Sequence, residues 1–470
     1  MVCNDGRNLQ LSGILHQLIL EIYTSNRYTK GYASPRLKDT GVAEEKMDQN
    51  IVVIGGGASG MMAAIAAAER GARVIILEHG QRVGKKILST GNGKCNLTNR
   101  NLSASCYRCS QPEFPMEVIG KFPVAETLRF FRRLGVVTTE RNGYVYPASG
   151  QAQTVLDALR EKTESLGIRT ILECEVKEIR KNADGFEIRT SDKPLRCSRI
   201  ILAAGSKAAP ATGSDGSGYA LAAALGHRII KPLPALVQLK CRGDYFKSIS
   251  GVRTEAEVSL YTSGRKGTTG RFLASDRGEL QLTDYGISGI PVFQVSRFAA
   301  EALDRDQKVT AIVDFFPDLS REEFFRLLRE QRGFLKGRNI SGFLNGIFHK
   351  KLAALFLKTA GLCGDGKVET LSDKNLSTLC DIVKGMEIPV TGTNPYDKAQ
   401  ICMGGVSTRE IDGRTMGSRL APGLYFAGEI LDVDGICGGY NLQWAWSSGY
   451  LAGISAADNN AADNKAEKRK

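Results

Sequence analysis

A glycine-rich turn directly after a buried strand is the first group of residues that could do chemistry. Residues 51–54 are all β-branched and predict a buried parallel strand. In the GGGASG segment that follows, Gly55 allows a tight turn, Gly57 lets the backbone approach a pyrophosphate, and Gly60 lets the next helix pack closely. Glu78 ends the next predicted strand, where its carboxylate can accept hydrogen bonds from both hydroxyls of a ribose. This spacing predicts a dinucleotide site.

A loop rich in glycine and lysine follows, over residues 80–99. Backbone amides and ammonium groups in such a loop can hold a pyrophosphate and wrap a ring system. The residues concerned are Lys85, Lys86, Gly91, Gly93 and Lys94. Cys95 would lie beside that ring, either as a small packing residue or as a nucleophile, and a nucleophile would need a lowered thiol pKa.

A second glycine turn opens a predicted helix at residues 436–453. The N-terminal amides of this helix would point at the carboxyl edge of the same sheet as the first turn. Two such dipoles suit a ligand that carries a pyrophosphate and also gains negative charge elsewhere. Reduced flavin meets both demands because its anionic form carries charge near N1 and O2, whereas nicotinamide alone would not need the second dipole.

The elements that must position these turns predict an α/β sheet. Buried strands are expected at 73–77, at 198–206 and within 423–435, and the backbone of 173–176 would meet an adenine. The turn at Gly205 lets the backbone approach a ligand closely. Further predicted elements are helices over 123–134, 151–166, 320–332 and 341–359 and a hairpin over 138–147.

Between these elements, from residue 231 onwards, the sequence changes to short alternating segments and then to helices, which predicts an inserted domain, part β and part α. The apolar residues Phe343, Leu344, Ile347, Phe348, Leu352, Leu355 and Phe356 predict a core stripe. The predicted division is an N-terminal extension without ordered structure (1–46), a dinucleotide-binding domain (47–230 and 398–455), a substrate or cap insert (231–397) and a disordered tail (456–470).

Composition excludes several classes of protein. The 470 residues contain no apolar run long enough to span a membrane, and the first 46 lack a signal-peptide pattern, so we expect a cytoplasmic protein. The scattered cysteines, with one isolated CxxC at Cys106 and Cys109, and four unpaired histidines predict reduced thiols and no metal site. The net charge of +13 suits anionic ligands and could also suit RNA.

Three blocks of the sequence resemble the FAD blocks of the two-dinucleotide-binding-domain flavoproteins: GGGASG with Glu78, the LAAGS turn, and YFAGEILDVDG followed by GGYNLQWA. More closely, STGNGKCNLTN together with DVDGICGGYNLQWAWSSG resembles the bacterial flavoprotein family that includes the 3-dehydro-bile acid Δ4,6-reductase of gut clostridia. The resemblance covers residues 47–453. It implies an α/β, Rossmann-like FAD-binding domain interrupted by a mixed β-barrel-like and helical insert.

The resemblance also implies which residues bind FAD. The ADP half would contact Gly55, Gly57, Ala58, Ser59, Gly60 and Glu78, and Val176 would touch the adenine. Gly205 is a further predicted cofactor-binding residue. The pyrophosphate and ring would contact Lys85, Lys86, Gly91, Asn92, Gly93, Lys94, Cys95 and Asn96. The ribityl and pyrimidine side would contact Gly428, Glu429, Gly439, Tyr440, Asn441 and Leu442. The chain has no second strand-GxGxxG-helix unit, so NAD(P)H would have to bind transiently over the flavin or in the cleft against the insert.

The activity that the resemblance implies is reduction of an activated carbon–carbon double bond, with NAD(P)H as donor. The substrate would be a 3-oxo-Δ4 or Δ4,6 bile acid or its coenzyme A ester in bile acid 7-dehydroxylation, a hydrophobic anion, with no specific nucleic acid and no membrane span. Two alternatives stay open: an FAD-dependent amine oxidase, and an FAD-containing RNA-binding or RNA-modifying protein, which the positive charge suggests.

Such a reduction needs a hydrogen-bond donor at the ketone and a proton donor at the α-carbon. Because histidine is scarce, the candidates are Tyr440, Tyr144 and Tyr146, with Cys95 as a further weak candidate. For each of these residues a packing role is the favoured interpretation.

Overall fold

The protein is described by a computed structural model over residues 50–262 and 270–467, with side chains up to residue 458. The predicted N-terminal extension therefore lies outside the described residues.

The strands are short, and they are named here in chain order. They are β1 Ile51–Ile54, β2 Val74–Leu77, β3 Thr98–Asn99, β4 Tyr107–Cys109, β5 Thr138–Arg141, β6 Tyr144–Pro147, β7 Arg169–Ile171, β8 Val176–Asn182, β9 Gly185–Thr190, β10 Leu195–Cys197, β11 Arg199–Leu202, β12 Ile229–Ala235, β13 Leu239–Cys241, β14 Arg253–Thr262, β15 Phe272–Leu282, β16 Gly286–Gly289, β17 Val309–Asp314, β18 Met386–Thr393, β19 Ile401–Val406, β20 Ile411–Asp412, β21 Gly417–Ser418, β22 Leu424–Phe426 and β23 Val433–Gly435.

The helices are named in the same way. They are α1 Ala58–Ala68, α2 Lys85–Ser89, α3 Phe114–Lys121, α4 Val124–Arg133, α5 Ala152–Ser165, α6 Ser217–Ala224, α7 Phe246–Ile249, α8 Ile290–Asp304, α9 Arg321–Phe334, α10 Lys350–Thr359, α11 Asp373–Lys384 and α12 Tyr440–Glu467.

The main sheet has the strand order β20-β21-β22-β11-β1-β2-β7. Strand β1 pairs in parallel with β2 and β11, and β11 pairs in parallel with β22. Strands β20, β21 and β22 come after the barrel in the chain, whereas the other strands of the main sheet come before it. The main sheet is therefore built from two segments that the barrel region separates. This interrupted, Rossmann-like α/β arrangement confirms the predicted fold class.

The region between these segments contains a closed barrel of strands β13-β16-β15-β14-β17-β18. Barrel residues and the helices after β17 share a hydrophobic core of their own, distinct from the core around the main sheet. The predicted core stripe from Phe343 to Phe356 lies in this second core. The predicted domain boundaries stay predictions.

Two helix predictions differ from the structure. The helix expected over 341–359 begins only at Lys350, capped by His349 Nδ1, which accepts a hydrogen bond from the Lys351 amide at 3.2 Å. Gly342, Asn345 and Gly346 have low helix propensity, which explains the irregular first half. Helix α12 continues to Glu467, whereas the sequence predicts a disordered tail from residue 456.

Helix α8 was not predicted at all. It follows barrel strand β16 directly and packs on β15 and β12. Its predictable features are Pro291 in the first turn and buried Val292, Val295 and Ala299 at helical spacing. This helix matters because it reaches the second glycine turn.

Candidate functional site

The first glycine turn joins β1 to helix α1. Gly55 has φ +103°, and a Cβ there would lie 2.5 Å from the carbonyl oxygen of Ala203, so only glycine fits. Around Gly57, in contrast, no atom lies within 4 Å of a Cβ position. The α1 N-terminus has no side-chain cap. Its amides therefore face an open cradle of the kind that a phosphate group fills.

Glu78 braces this turn from β2. Its Oε2 accepts a hydrogen bond from the Gly56 amide at 2.9 Å, and its Oε1 accepts one from the Gly80 amide at 2.8 Å. The Glu78 carbonyl accepts a hydrogen bond from the Cys174 amide, two residues before the half-buried Val176. The segment predicted to meet adenine thus lies beside the carboxylate predicted to bind ribose. Their contacts with a cofactor stay predictions.

The glycine and lysine loop turns sharply at Gly91, Asn92 and Gly93, which have φ of 55°, 54° and 83°. Consecutive left-handed residues of this kind expose backbone amides to an anion. The next candidate, Cys95, is buried, and burial raises the pKa of its thiol to about 11. A thiol that stays protonated favours the packing role over the nucleophile.

Two predicted cofactor residues bind each other. Lys86 Nζ lies 2.6 Å from Glu429 Oε2, although the residues are 343 positions apart. Glu429 Oε1 also accepts hydrogen bonds from Ser206 Oγ at 2.7 Å and from the Cys402 amide at 3.3 Å. Four segments of the chain meet at this carboxylate, so both side chains position the site.

The second glycine turn runs from Gly435 to Gly439 and leads into α12. Gly439 has φ +94°, and a Cβ there would lie 2.7 Å from the Thr98 carbonyl oxygen and 2.8 Å from Asn96 Oδ1. Asn441 closes the turn, because its Oδ1 accepts from the Gly435 amide at 2.8 Å and its Nδ2 donates to the Gly435 carbonyl at 2.9 Å. The buried Asn96 Oδ1 has no hydrogen-bond partner among the described residues.

Residues that the sequence analysis did not name hold the second turn. Asn99 Nδ2 donates to the Gly438 carbonyl at 2.9 Å, and Gln294 Oε1 accepts from the Cys437 amide at 2.8 Å. Arg297, one helical turn after Gln294, has its Nε 2.9 Å from Asp434 Oδ2. Gln294 and Arg297 both come from α8. The helical spacing of apolar residues in α8 is the sequence pattern that could have revealed this helix.

The three candidate tyrosines lie in different surroundings. The Tyr440 hydroxyl donates to the Asn101 carbonyl at 2.9 Å, so it has a structural role. The Tyr144 ring lies against Gly438, where a Cβ would be 2.8 Å from its Cε1, and the Tyr146 ring lies near Gly91. Both are half-buried, and neither hydroxyl has a hydrogen-bond partner among the described residues. Burial raises the pKa of both hydroxyls above the ordinary tyrosine value, and each is protonated at neutral pH as an unperturbed tyrosine also is.

The residues present fit FAD. The open cradle at Gly57 and the uncapped α1 N-terminus suit a pyrophosphate, and the unpartnered acceptor of Asn96 suits an N–H group of a ring beside the second turn. Among the described residues, no cluster of His, Cys, Asp or Glu side chains could hold a metal ion. Over the same residues, no helix is long and apolar enough to cross a membrane.

Comparison with known proteins identifies a family and two relatives that match most of the chain. The model of the family described as HI0933-like protein Rossmann domain matches residues 49–455. The 3-dehydro-bile acid Δ(4,6)-reductase of Clostridium scindens is 44% identical over 87% of this chain and 99% of its own length. The ribosomal RNA dihydrouridine synthase of Escherichia coli is 28% identical over 85% of this chain and 96% of its own length.

Among solved structures, a 3-ketosteroid-Δ4-(5α)-dehydrogenase from Rhodococcus jostii is a distant likeness. It has a TM-score of 0.43 and 16% identity, over 89% of this chain and 99% of that chain.

Proposed function

The chain belongs to the HI0933-like family of FAD-dependent oxidoreductases, and on that premise we propose that it reduces a carbon–carbon double bond conjugated to a ketone. The proposed substrate is a 3-oxo-Δ4 or Δ4,6 bile acid or its coenzyme A ester in bile acid 7-dehydroxylation, with NAD(P)H as donor. The observation that carries this proposal is the 44% identity, over 99% of its length, to a reductase of that substrate class.

The proposed roles of the chain follow from the two turns. The α1 amides and the backbone near Gly91 would bind the pyrophosphate, while Glu78 would accept from the ribose. The second turn, at the start of α12, would stabilise negative charge on the ring through the helix dipole. FAD held there, once reduced by NAD(P)H, would supply hydride to the β-carbon of the enone.

Tyr144 is the proposed proton donor. Once hydride adds at the β-carbon, the π electrons of the double bond shift toward the α-carbon and ketone, and the α-carbon must gain a proton. The unpartnered Tyr144 hydroxyl beside Gly438 can give that proton and regain one from water, since the residue is half-buried. Tyr440 cannot do so without releasing the Asn101 carbonyl.

Anaerobic kinetics of the purified flavoprotein test the proposed function. We expect NADH or NADPH to bleach the flavin absorbance and a 3-oxo-Δ4 steroid acid to restore it, with the saturated product detected by mass spectrometry. The saturated 3-oxo steroid acid is the control and should restore nothing. Bleaching by amines without a nicotinamide donor would instead support the oxidase alternative.

The RNA-modifying alternative has one specific observation in its favour, the 28% identity to a ribosomal RNA dihydrouridine synthase over 96% of that protein. The C5–C6 double bond of uracil is conjugated to a carbonyl, so the same kind of reduction would convert uridine to dihydrouridine. Incubation with ribosomal RNA and NADPH, followed by nucleoside mass spectrometry, tests it. Dihydrouridine formation without enone reduction would replace the leading proposal.

A further inference from the structure

Two tyrosines of strand β6 lie on one face of that strand. Tyr144 and Tyr146 are alternate residues and both are half-buried, whereas Val145 and Pro147 are buried. Because side chains alternate across a strand, the two phenol rings lie on the same side. The rise of a strand separates their Cα atoms by about 6–7 Å, so both hydroxyls can reach one small ligand.

Asn96 lies between the surroundings of the two rings. A Cβ at Gly91 would lie 3.6 Å from Tyr146 Cε1 and 2.8 Å from the Asn96 amide nitrogen. The Tyr144 ring lies against the second glycine turn, where a Cβ at Gly439 would lie 2.8 Å from Asn96 Oδ1. Asn96 is only 8% exposed, and its Oδ1 has no hydrogen-bond partner among the described residues. The two phenols therefore flank a buried acceptor that suits an N–H group of the cofactor ring.

Four tyrosines lie on strands β4 and β6 and at the start of α12. The Tyr107 hydroxyl donates to the Tyr440 carbonyl at 2.9 Å, and the Tyr440 hydroxyl donates to the Asn101 carbonyl at 2.9 Å. Neither the Tyr144 nor the Tyr146 hydroxyl has such a partner within the part of the chain that the structure describes. Of these four phenols, the two on β6 are therefore the ones that keep an O–H group for a ligand.

The two phenols are close enough for their charges to interact. Burial raises the pKa of the Tyr146 hydroxyl, and the neighbouring Tyr144 and Cys437 raise it further. Arg141 opposes this shift. Because a negative charge on one phenol disfavours ionisation of the other, Tyr146 keeps its proton while Tyr144 gives its own away. One phenol can then act as an acid while the other stays a hydrogen-bond donor.

We propose that Tyr146 donates a hydrogen bond to the ketone oxygen of the enone while Tyr144 protonates the α-carbon. This inference rests on the proposed function and adds a second catalytic residue to it. Hydride addition at the β-carbon moves the π electrons onto the ketone oxygen, and the Tyr146 hydroxyl stabilises that charge without transferring its proton. The Tyr144 O–H bond then breaks as the α-carbon–hydrogen bond forms and the carbonyl is restored. The Tyr144 tyrosinate takes a proton from water.

Binding of p-nitrophenol tests the donor without turnover, because its anion resembles the charged oxygen of an enolate. The probe is mainly neutral at pH 6 and mainly anionic at pH 8.5. In calorimetric titrations of the oxidised holoenzyme, we expect the anion to bind about tenfold or more tightly than the neutral phenol, since hydrogen bonds to charged groups are the stronger ones. Tyr146→Phe should abolish this preference, and Tyr144→Phe should keep it. A saturated 3-oxo steroid acid should displace the probe.

Turnover gives an independent measurement. Tyr146→Phe should lower kcat for the enone about 100-fold, the size of the loss of one donor to an oxyanion, with KM nearly unchanged. Tyr285→Phe, at an exposed tyrosine between β15 and β16, is the matched control and should change neither kcat nor the preference for the anion. If Tyr146→Phe does not fold, Tyr144→Phe decides, because a retained preference supports the inference and a lost preference overturns it.

Three other results would overturn the inference: a preference for the anion that survives in Tyr146→Phe, an equal loss of preference in Tyr144→Phe, and a probe that the steroid acid does not displace. Failure of the proposed function is separable. If the wild-type protein reduces no enone, a preference that is lost only in Tyr146→Phe still supports the hydrogen-bond donor. A wild-type protein that reduces enones without any preference for the anion would overturn this inference alone.

Discussion

The two glycine turns at the edge of the main sheet are held by different kinds of partner. The first turn is braced by Glu78, about twenty residues along the chain, so the side chain that holds it comes from the same strand-helix-strand unit. The second turn depends on Asn99 from strand β3 and on Gln294 and Arg297 from helix α8, which packs on the barrel. The proposed cofactor anchor is therefore held by a nearby side chain, whereas the proposed reacting end is assembled from three distant regions.

The largest predicted effect comes from removing the ion pair that joins helix α8 to Asp434, just before the second turn. Arg297→Met leaves the Asp434 carboxylate buried without its partner, which costs about 3–5 kcal/mol of unfolding free energy. Chemical denaturation measures it. Arg414→Met, at an exposed pair, should cost about 0–1 kcal/mol.

The same variant should show a pH dependence with a definite sign. Asp434 has a folded pKa of about 7, above its unfolded value, so its protonated form stabilises the fold at low pH and that stabilisation is lost as pH rises through the folded pKa. The Arg297→Met penalty should therefore be smaller at pH 5 than at pH 8. A pH-independent penalty would contradict the unpaired carboxylate as its cause.

The next effect tests where the chemistry lies. Tyr144→Phe should lower kcat for enone reduction about 100-fold or more while flavin binding is retained, because it removes the proposed proton donor. Stopped-flow reoxidation of the reduced enzyme by the enone measures this step. Tyr440→Phe is the control; it loses the bond to Asn101, should cost about 1 kcal/mol of stability, and should leave kcat within a few-fold.

A smaller effect tests the first turn alone. Gly57→Ala adds a methyl group that meets no protein atom within 4 Å, so the apoprotein should keep its melting temperature. The methyl group would occupy the phosphate cradle and should weaken FAD binding at least tenfold, or about 1.4 kcal/mol, by fluorescence titration. Gly120→Ala, also in open space but on α3, should leave the FAD affinity unchanged. Unchanged affinity in Gly57→Ala would remove this turn from the cofactor site.

The smallest effect separates the partners of the second turn. Asn99→Ala removes the hydrogen bond to the Gly438 carbonyl and should cost about 0.5–1.5 kcal/mol. The flavin reduction potential should shift in Asn99→Ala and stay constant in Gly57→Ala, as measured by dye equilibration. A shift in both variants would mean that the turns do not divide binding from chemistry.

The sequence predicted most of what is local. Strand β1, the turn at Gly55, helix α1 and the position of Glu78 follow from spacing and β-branched composition. Helix α9 begins where the sequence predicts a helix, and in the structure Ser320 and Glu323 form a capping box at that point. The interrupted sheet was also predicted, because the sequence pattern changes at residue 231 and buried-strand patterns return after residue 398.

The rest could not be predicted because it depends on packing between distant segments. The Lys86–Glu429 pair and the Gln294 contact to Cys437 join residues that no spacing relates. Helix α8 was missed because its short apolar run directly follows a strand, where helix and strand patterns are hard to separate. The three tyrosines were equivalent in sequence, and only their hydrogen bonds distinguish them.

Helix α12 has a consequence for the order of events during synthesis. Its Gln443 accepts from Thr98 Oγ1 and its Trp446 donates to the Leu97 carbonyl, bonds that span about 345 residues. At roughly 5–20 residues per second, a ribosome needs on the order of 20–70 s to make the intervening chain. Throughout that time helix α12, which covers α1 and the loop over residues 80–99, has not yet been made. The proposed cofactor site can therefore close only after nearly all of the chain has left the ribosome, so every nascent chain presents this uncovered surface to chaperones until then.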